Sequence, residues 1–201
     1  MASTDNHSPI TPQTIGRWEN TDVQIDICNA VDADVSLTVV GMFTREFVGD
    51  SPTGALLRLD QALQGALTRL RADGIFRCAL GETMVLGAPA APVKADAVLI
   101  VGLGTPQDWS PSVLRDAVAV AAAEALRLDK QSVAFSPSLS DSGMPRRLSA
   151  GTGEPMMAGL LGTLPARRAH VLERWTFCSG ATDFQTHADE LRSAFKTIAG
   201  R

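Results

Sequence analysis

The sequence predicts an α/β domain in which a mostly parallel sheet is layered between helices. Three observations carry that reading. Ala97-Val98-Leu99-Ile100-Val101 is an unbroken apolar run, the pattern of a strand covered on both faces. Ser110-Pro111 then opens a helix that runs to about Leu128, and Ser132-Val133-Ala134-Phe135 follows it as another strand. This is a strand–helix–strand unit, whose crossover is expected to be right-handed. Strands and helices keep alternating to the C-terminus, which places helices on both faces of the sheet.

Composition bounds the rest. At 201 residues, 45% apolar and 20% charged, the chain suits one domain with a substantial core. A net charge of −4 and a pI near 5.3 argue against a phosphate backbone as the main partner. Tyrosine is absent and aromatics make up only 5%, a poor platform for stacking bases. A nucleic-acid partner is therefore not expected. No apolar run approaches the roughly 18–20 residues that span a bilayer, so no membrane partner is expected either. Residues 1–7 lack the basic and apolar regions of a signal peptide, and the expected location is cytoplasmic.

Cys28, Cys78 and Cys178 lie far apart, and in a cytosolic chain they read as buried reduced thiols, not as a disulfide frame or a zinc site. His7, His170 and His187 join no metal-ligand spacing. No metal and no cofactor are expected.

The elements follow in order. Residues 1–17 are polar and carry Pro9 and Pro12, the mark of a flexible tail; residues 18–201 read as a single α/β domain. Val23 to Ile27 alternates like a half-buried strand, and Val35 to Phe43 is a second, more β-branched one. Ser51-Pro52 starts a helix with Leu56, Leu59, Leu63, Leu67 and Leu70 on one face, and Gly74 stands where its C′ glycine belongs. Thr83 to Leu86 is a short strand. After the strand–helix–strand unit comes a Ser-, Gly- and Pro-rich loop over 137–151. A helix carries Met156, Met157, Leu160, Leu161 and Leu164, with Pro165 ending or kinking it, and Val171 to Cys178 is the last strand. Thr182-Asp183-Phe184-Gln185 fits a capping box opening a final helix, striped with Phe184, Ala188, Leu191, Phe195 and Ile198. That stripe must be covered, by the chain's own sheet or by a second copy or partner.

Glycine clusters supply the candidate ligand site. Gly102-Leu103-Gly104-Thr105 links a strand to a helix, where glycines permit close backbone approach and free amides attract anions. The third glycine of a dinucleotide fingerprint is missing and Asp108 opposes a phosphate, so a tight turn explains the same residues. Gly151 and Gly153 open the next helix and could form the opposite wall of a cleft, although Glu154 beside them disfavours anions. The candidates for ligand binding are therefore Gly102, Gly104, Thr105, Gly151 and Gly153. Ser136, Ser138, Ser140 and Ser142 sit in a loop without the elbow motif that activates a serine, and no catalytic residue is assigned.

Four stretches, in order, resemble the N-terminal domain of the leucine (cytosol) aminopeptidase family. Residues 54–67 look like that domain's first helix, and Phe76 to Leu86, with Gly81-Glu82-Thr83, like its following hairpin or strand. Residues 95–104 resemble its most recognisable strand and turn, and Glu154 to Leu164 its Gly-x-x-Leu-Gly helix. The resemblance implies a three-layer α/β/α, macro-domain-like fold with a mostly parallel mixed sheet. In the family the two-metal peptidase site lies in a separate C-terminal domain with an Asn-Thr-Asp-Ala-Glu-Gly-Arg stretch. That stretch does not occur in these 201 residues, so no catalytic residue carries over. The expectation is a non-catalytic assembly or regulatory module, working as a homo-oligomer or with a separate peptidase subunit. The alternative is a macro-like binder of ADP-ribose or a related nucleotide at the glycine loops; an accessory subunit of a separately encoded leucyl aminopeptidase comes third.

Overall fold

The computed structural model describes residues 12–164 and 170–200. Its seven-stranded sheet runs β1 (Gln13–Trp18), β2 (Thr21–Asp26), β7 (Arg174–Cys178), β6 (Ser132–Ser136), β3 (Leu37–Met42), β5 (Ala97–Gly102), β4 (Thr83–Gly87). From β2 across to β5 all neighbours are parallel, and the two edge strands, β1 and β4, are antiparallel. The helix α3 (Pro111–Arg127) leads from β5 to β6, with β3 inserted between those two strands.

Alternation within the strands loads both faces. Val23, Ile25, Leu37, Val39, Leu99, Val133, Phe135, Trp175 and Phe177 point to one side. There they meet α3, α5 (Gly153–Thr163) and α6 (Phe184–Ala199). The alanines of α3 permit close approach, and a Cβ on Gly159 of α5 would overlap the Arg115 carbonyl oxygen of α3. Val40, Met42, Val98 and Ile100 point the other way, under Leu56 and Leu59 of α1 (Gly54–Ala62) and Leu67 of α2 (Ala66–Ala72). The outcome is the three-layer α/β/α arrangement that the sequence predicts.

Several local expectations need correction. Residues 13–17 are not tail: they form most of β1, with Ile15 and Trp18 packed on the core and Gly16 lying where a Cβ would strike the Phe195 ring. Residues 1–11 fall outside the described part. The leucine-striped helix is two helices, broken where Gln64 and Gly65 take positive φ angles of 57° and 78°. Asp60 stabilises the break, its carboxylate accepting the Leu67 and Thr68 amides at 2.8 and 3.2 Å. The N-cap of α1 is Thr53, not Ser51, and Asp183 caps α6 without the side-chain bond of a capping box. Pro165 lies outside the described residues, and α5 gives way at Leu164.

The cysteine reading also changes. Cys28 and Cys178 are joined in a disulfide with Cα atoms 5.1 Å apart, and Cys78 alone is free and buried. Parallel pairing of β2 with β7 sets Asp26 beside Cys178, so the chain just beyond β2 reaches it despite a separation of 150 residues. No helix among the described residues is long and apolar enough to cross a membrane.

Candidate functional site

The candidate glycines do not converge on one cavity. Gly102 is needed for close packing: a Cβ there would overlap the Ala79 carbonyl oxygen, and its own amide donates to the Glu82 carbonyl at 2.8 Å. Gly104, at φ +75°, donates its amide to the Cys78 carbonyl at 2.9 Å. The Thr105 hydroxyl donates to Asp108 at 2.7 Å across a short turn. The amides of Gly151 and Gly153 do meet an anion, but it is the chain's own: the Glu190 carboxylate of α6 accepts them at 3.3 and 3.4 Å. A helix N-terminus attracts negative charge, and here a side chain supplies it.

The cavity lies elsewhere, beyond the carboxyl ends of β6 and β7, with a volume of about 340 Å³. Parallel strands deliver three loops to this edge. The loop after β6 contributes Ser136, Ser138, Ser140 and Asp141, and the end of β7 contributes Cys178 and Ser179. Cys28 enters from the segment after β2. Arg146, from the four-residue helix α4 (Arg146–Ser149), Thr152 and the first turn of α6 complete the wall. A segment over 43–53 braces the β6 loop: the Phe47 amide donates to the Ser142 carbonyl and the Thr53 amide to the Asp141 carbonyl, both at 2.8 Å.

Its polar groups are partly engaged. The Asp141 carboxylate accepts the Leu56 amide at 3.1 Å, filling the N-terminus of α1. Burial nevertheless pushes its carboxyl above the ordinary value of 3.8, against the lowering effect of the Leu56 and Ala55 amides. Ser179 Oγ and His187 Nδ1 share a hydrogen bond at 2.9 Å, and Arg146 pairs with Asp183 at 3.5 Å across the rim. Among the described residues no group of three or more His, Cys, Asp or Glu side chains is placed to hold a metal ion. The sequence reading assigns none of Arg146, Asp141, Ser179 and His187 to a site. The one available signal was a serine-rich loop following a parallel strand.

The strand order, with helices on both faces, defines a macrodomain-like α/β/α protein. The model for the cytosol aminopeptidase family, N-terminal domain, matches residues 39–151, and the chain belongs to that family. No curated protein matches it by sequence. Among solved structures, a tomato leucine aminopeptidase mutant superposes with a TM-score of 0.67 at 17% identity, over 94% of this chain. The chain spans 38% of the tomato protein's length. The Oceanobacillus iheyensis macrodomain with ADP gives 0.63 at 12% identity, over 94% of this chain and 97% of that one. The Trypanosoma brucei macrodomain in complex with ADP gives 0.62 at 18% identity, over 84% and 68%.

Proposed function

We propose that this chain is a non-catalytic regulatory or assembly module that responds to a small polar molecule of the ADP-ribose or nucleotide diphosphate class. The observation that carries the reading is the position of the 340 Å³ cavity at the carboxyl ends of parallel strands. Ligands of open α/β sheets bind outside those ends, where loops converge and chain direction supplies the polar groups. The volume falls within the roughly 300–1,000 Å³ of small-molecule sites. Arg146 offers a cation at the rim, and the wall hydroxyls offer donors and acceptors. Two macrodomains of similar fold hold ADP, which supports the ligand class. The non-catalytic part concerns this domain alone: the family match is to the N-terminal domain, over residues 39–151.

The test is a thermal scan with ADP-ribose, ADP and a nucleotide panel. A ligand at about 100 times its Kd stabilises the native state by about 2.7 kcal/mol. In a chain of this size that raises Tm by roughly 5–10 °C. Ser140→Trp, which fills the mouth from an exposed position, and Arg146→Ala should each abolish the shift while keeping the unliganded Tm. Flat scans across the panel overturn the ligand reading. Turnover of leucyl substrates with added manganese or zinc, scaling with purified protein, overturns the non-catalytic one.

A further inference from the structure

We propose that Cys28 and Cys178 form a reversible thiol–disulfide exchange site in the cavity wall, a modification site for reductants of the dithiol class that couples cavity access to redox state. Both cysteines are half-buried and both line the cavity. Cys28 also borders a second hollow on the sheet face, beside Gln24, Asp26, Ala134 and Thr176. The bond therefore stands at the boundary between two hollows instead of deep in the core.

The fold on either side is held without it. β2 and β7 pair in register from Asp22↔Arg174 to Asp26↔Cys178, and the Ser179 amide donates to the Asp26 carbonyl at 2.9 Å. The segment after β2 has its own anchors. Asn29 Oδ1 accepts the Val31 and Asp32 amides, the Val31 carbonyl accepts the Lys94 amide at 3.0 Å, and Ala30, Val31 and Ala33 are buried. Breaking the bond thus frees two side chains without removing a strand.

The exchange balances as follows. A thiolate of the dithiol attacks one sulfur, forming a mixed disulfide and releasing the other cysteine as a thiolate. The second thiol of the reductant then displaces the attached cysteine. Two electrons and two protons pass to the protein, giving two cysteine thiols and one oxidised dithiol. Cys78 stays out of the reaction: it is buried under α1 and α2 on the opposite face from the α3 layer, and burial pushes its thiol up to about 12.

The experiment treats the native chain with dithiothreitol, then iodoacetamide, and weighs it intact. Two alkyl groups should appear, on Cys28 and Cys178, against none before reduction, and Cys78 should react only after denaturant is added. Circular dichroism should be unchanged, and oxidised glutathione should restore the bond. Amide exchange over residues 27–30 and 178–187 should quicken on reduction, and the Cys28→Ser/Cys178→Ser double variant should match the reduced wild type. A bond that yields only with denaturant, or three alkyl groups arriving together, overturns the site. Equal exchange in the two redox forms overturns its control of access. These readouts use no nucleotide, so they are independent of the ligand reading above.

Discussion

Replacing Arg71 with alanine should expose how strongly the cavity wall depends on one buried ion pair. Arg71 Nη1 lies 2.7 Å from Glu46 Oε1, and the two side chains are only 14% and 1% exposed. The same nitrogen also donates to the Phe43 carbonyl at 3.2 Å. Removing the guanidinium leaves a desolvated carboxylate with no opposite charge, which costs about 3–5 kcal/mol. For 201 residues the unfolding entropy is about 0.4 kcal/mol per degree, so Tm should fall by roughly 7–12 °C. In urea the midpoint should drop with the slope unchanged. Glu46 sits in the 43–53 segment that braces the 138–144 loop, so amide exchange at Ser142 and Asp141 should also quicken. The control is Arg71→Met combined with Glu46→Leu, which removes both charges at similar volume and should be near neutral or stabilising. An Arg71→Ala protein within about 1 kcal/mol of the parent would refute the reasoning, as would a double variant no more stable than the single.

Three further outcomes follow from the same packing. Because burial raises the Asp141 carboxyl above 3.8 in the folded state, its contribution is most favourable below 3.8 and is lost as pH rises through the folded value. Asp141→Asn, which keeps an acceptor for the Leu56 amide, should flatten that part of a urea-midpoint profile against pH. Gly102→Ala forces a Cβ onto the Ala79 carbonyl oxygen and to 2.7 Å from the Cys78 carbonyl carbon, and should destabilise by about 1–3 kcal/mol or more in a thermal melt. Leu191→Ala empties a fully buried position on α6 and should cost about 2–5 kcal/mol in urea, with no change of mass by light scattering.

Much of the fold was legible because its signals are local. The apolar run of β5, the Ser110-Pro111 start of α3 and the alternation of β2 each declare an element from adjacent residues. The break between α1 and α2 was hidden because the leucine stripe continues across it, while Gly65 and the distant cap from Asp60 decide the conformation. β1 was hidden by Gly16, which weakens a strand pattern and is there to admit Phe195 from the far end of the chain. The disulfide depends on strand order, since only the adjacency of β2 and β7 brings positions 28 and 178 together. The α6 stripe, open to a partner in sequence, is turned inward: Phe184, Ala188 and Leu191 are buried, and Phe195 and Ile198 pack against the core.

A glycine that lets a phosphate approach and a glycine that lets another backbone approach are the same letter in a sequence, and only the neighbour tells them apart. Here every candidate glycine donates its amide within its own chain. The Gly102 and Gly104 amides are spent on the 78–82 turn, and those of Gly151 and Gly153 on Glu190. An amide already donating to a carbonyl or carboxylate must give up that bond before it can hold a ligand, which lowers the affinity it can offer. The cavity instead draws its polar groups from side chains, among them Ser138, Asp141, Arg146, Ser179 and His187, none of which is among the candidate ligand residues read from the sequence. Its place follows from parallelism: β2, β7 and β6 all end at one edge, so the segments after residues 26, 178 and 136 meet there whatever their separation in sequence. Parallel strands were readable from apolar runs alternating with helices. Which loops would be neighbours was not, because that depends on the order of strands across the sheet, set by pairings between distant segments such as Asp22 with Arg174.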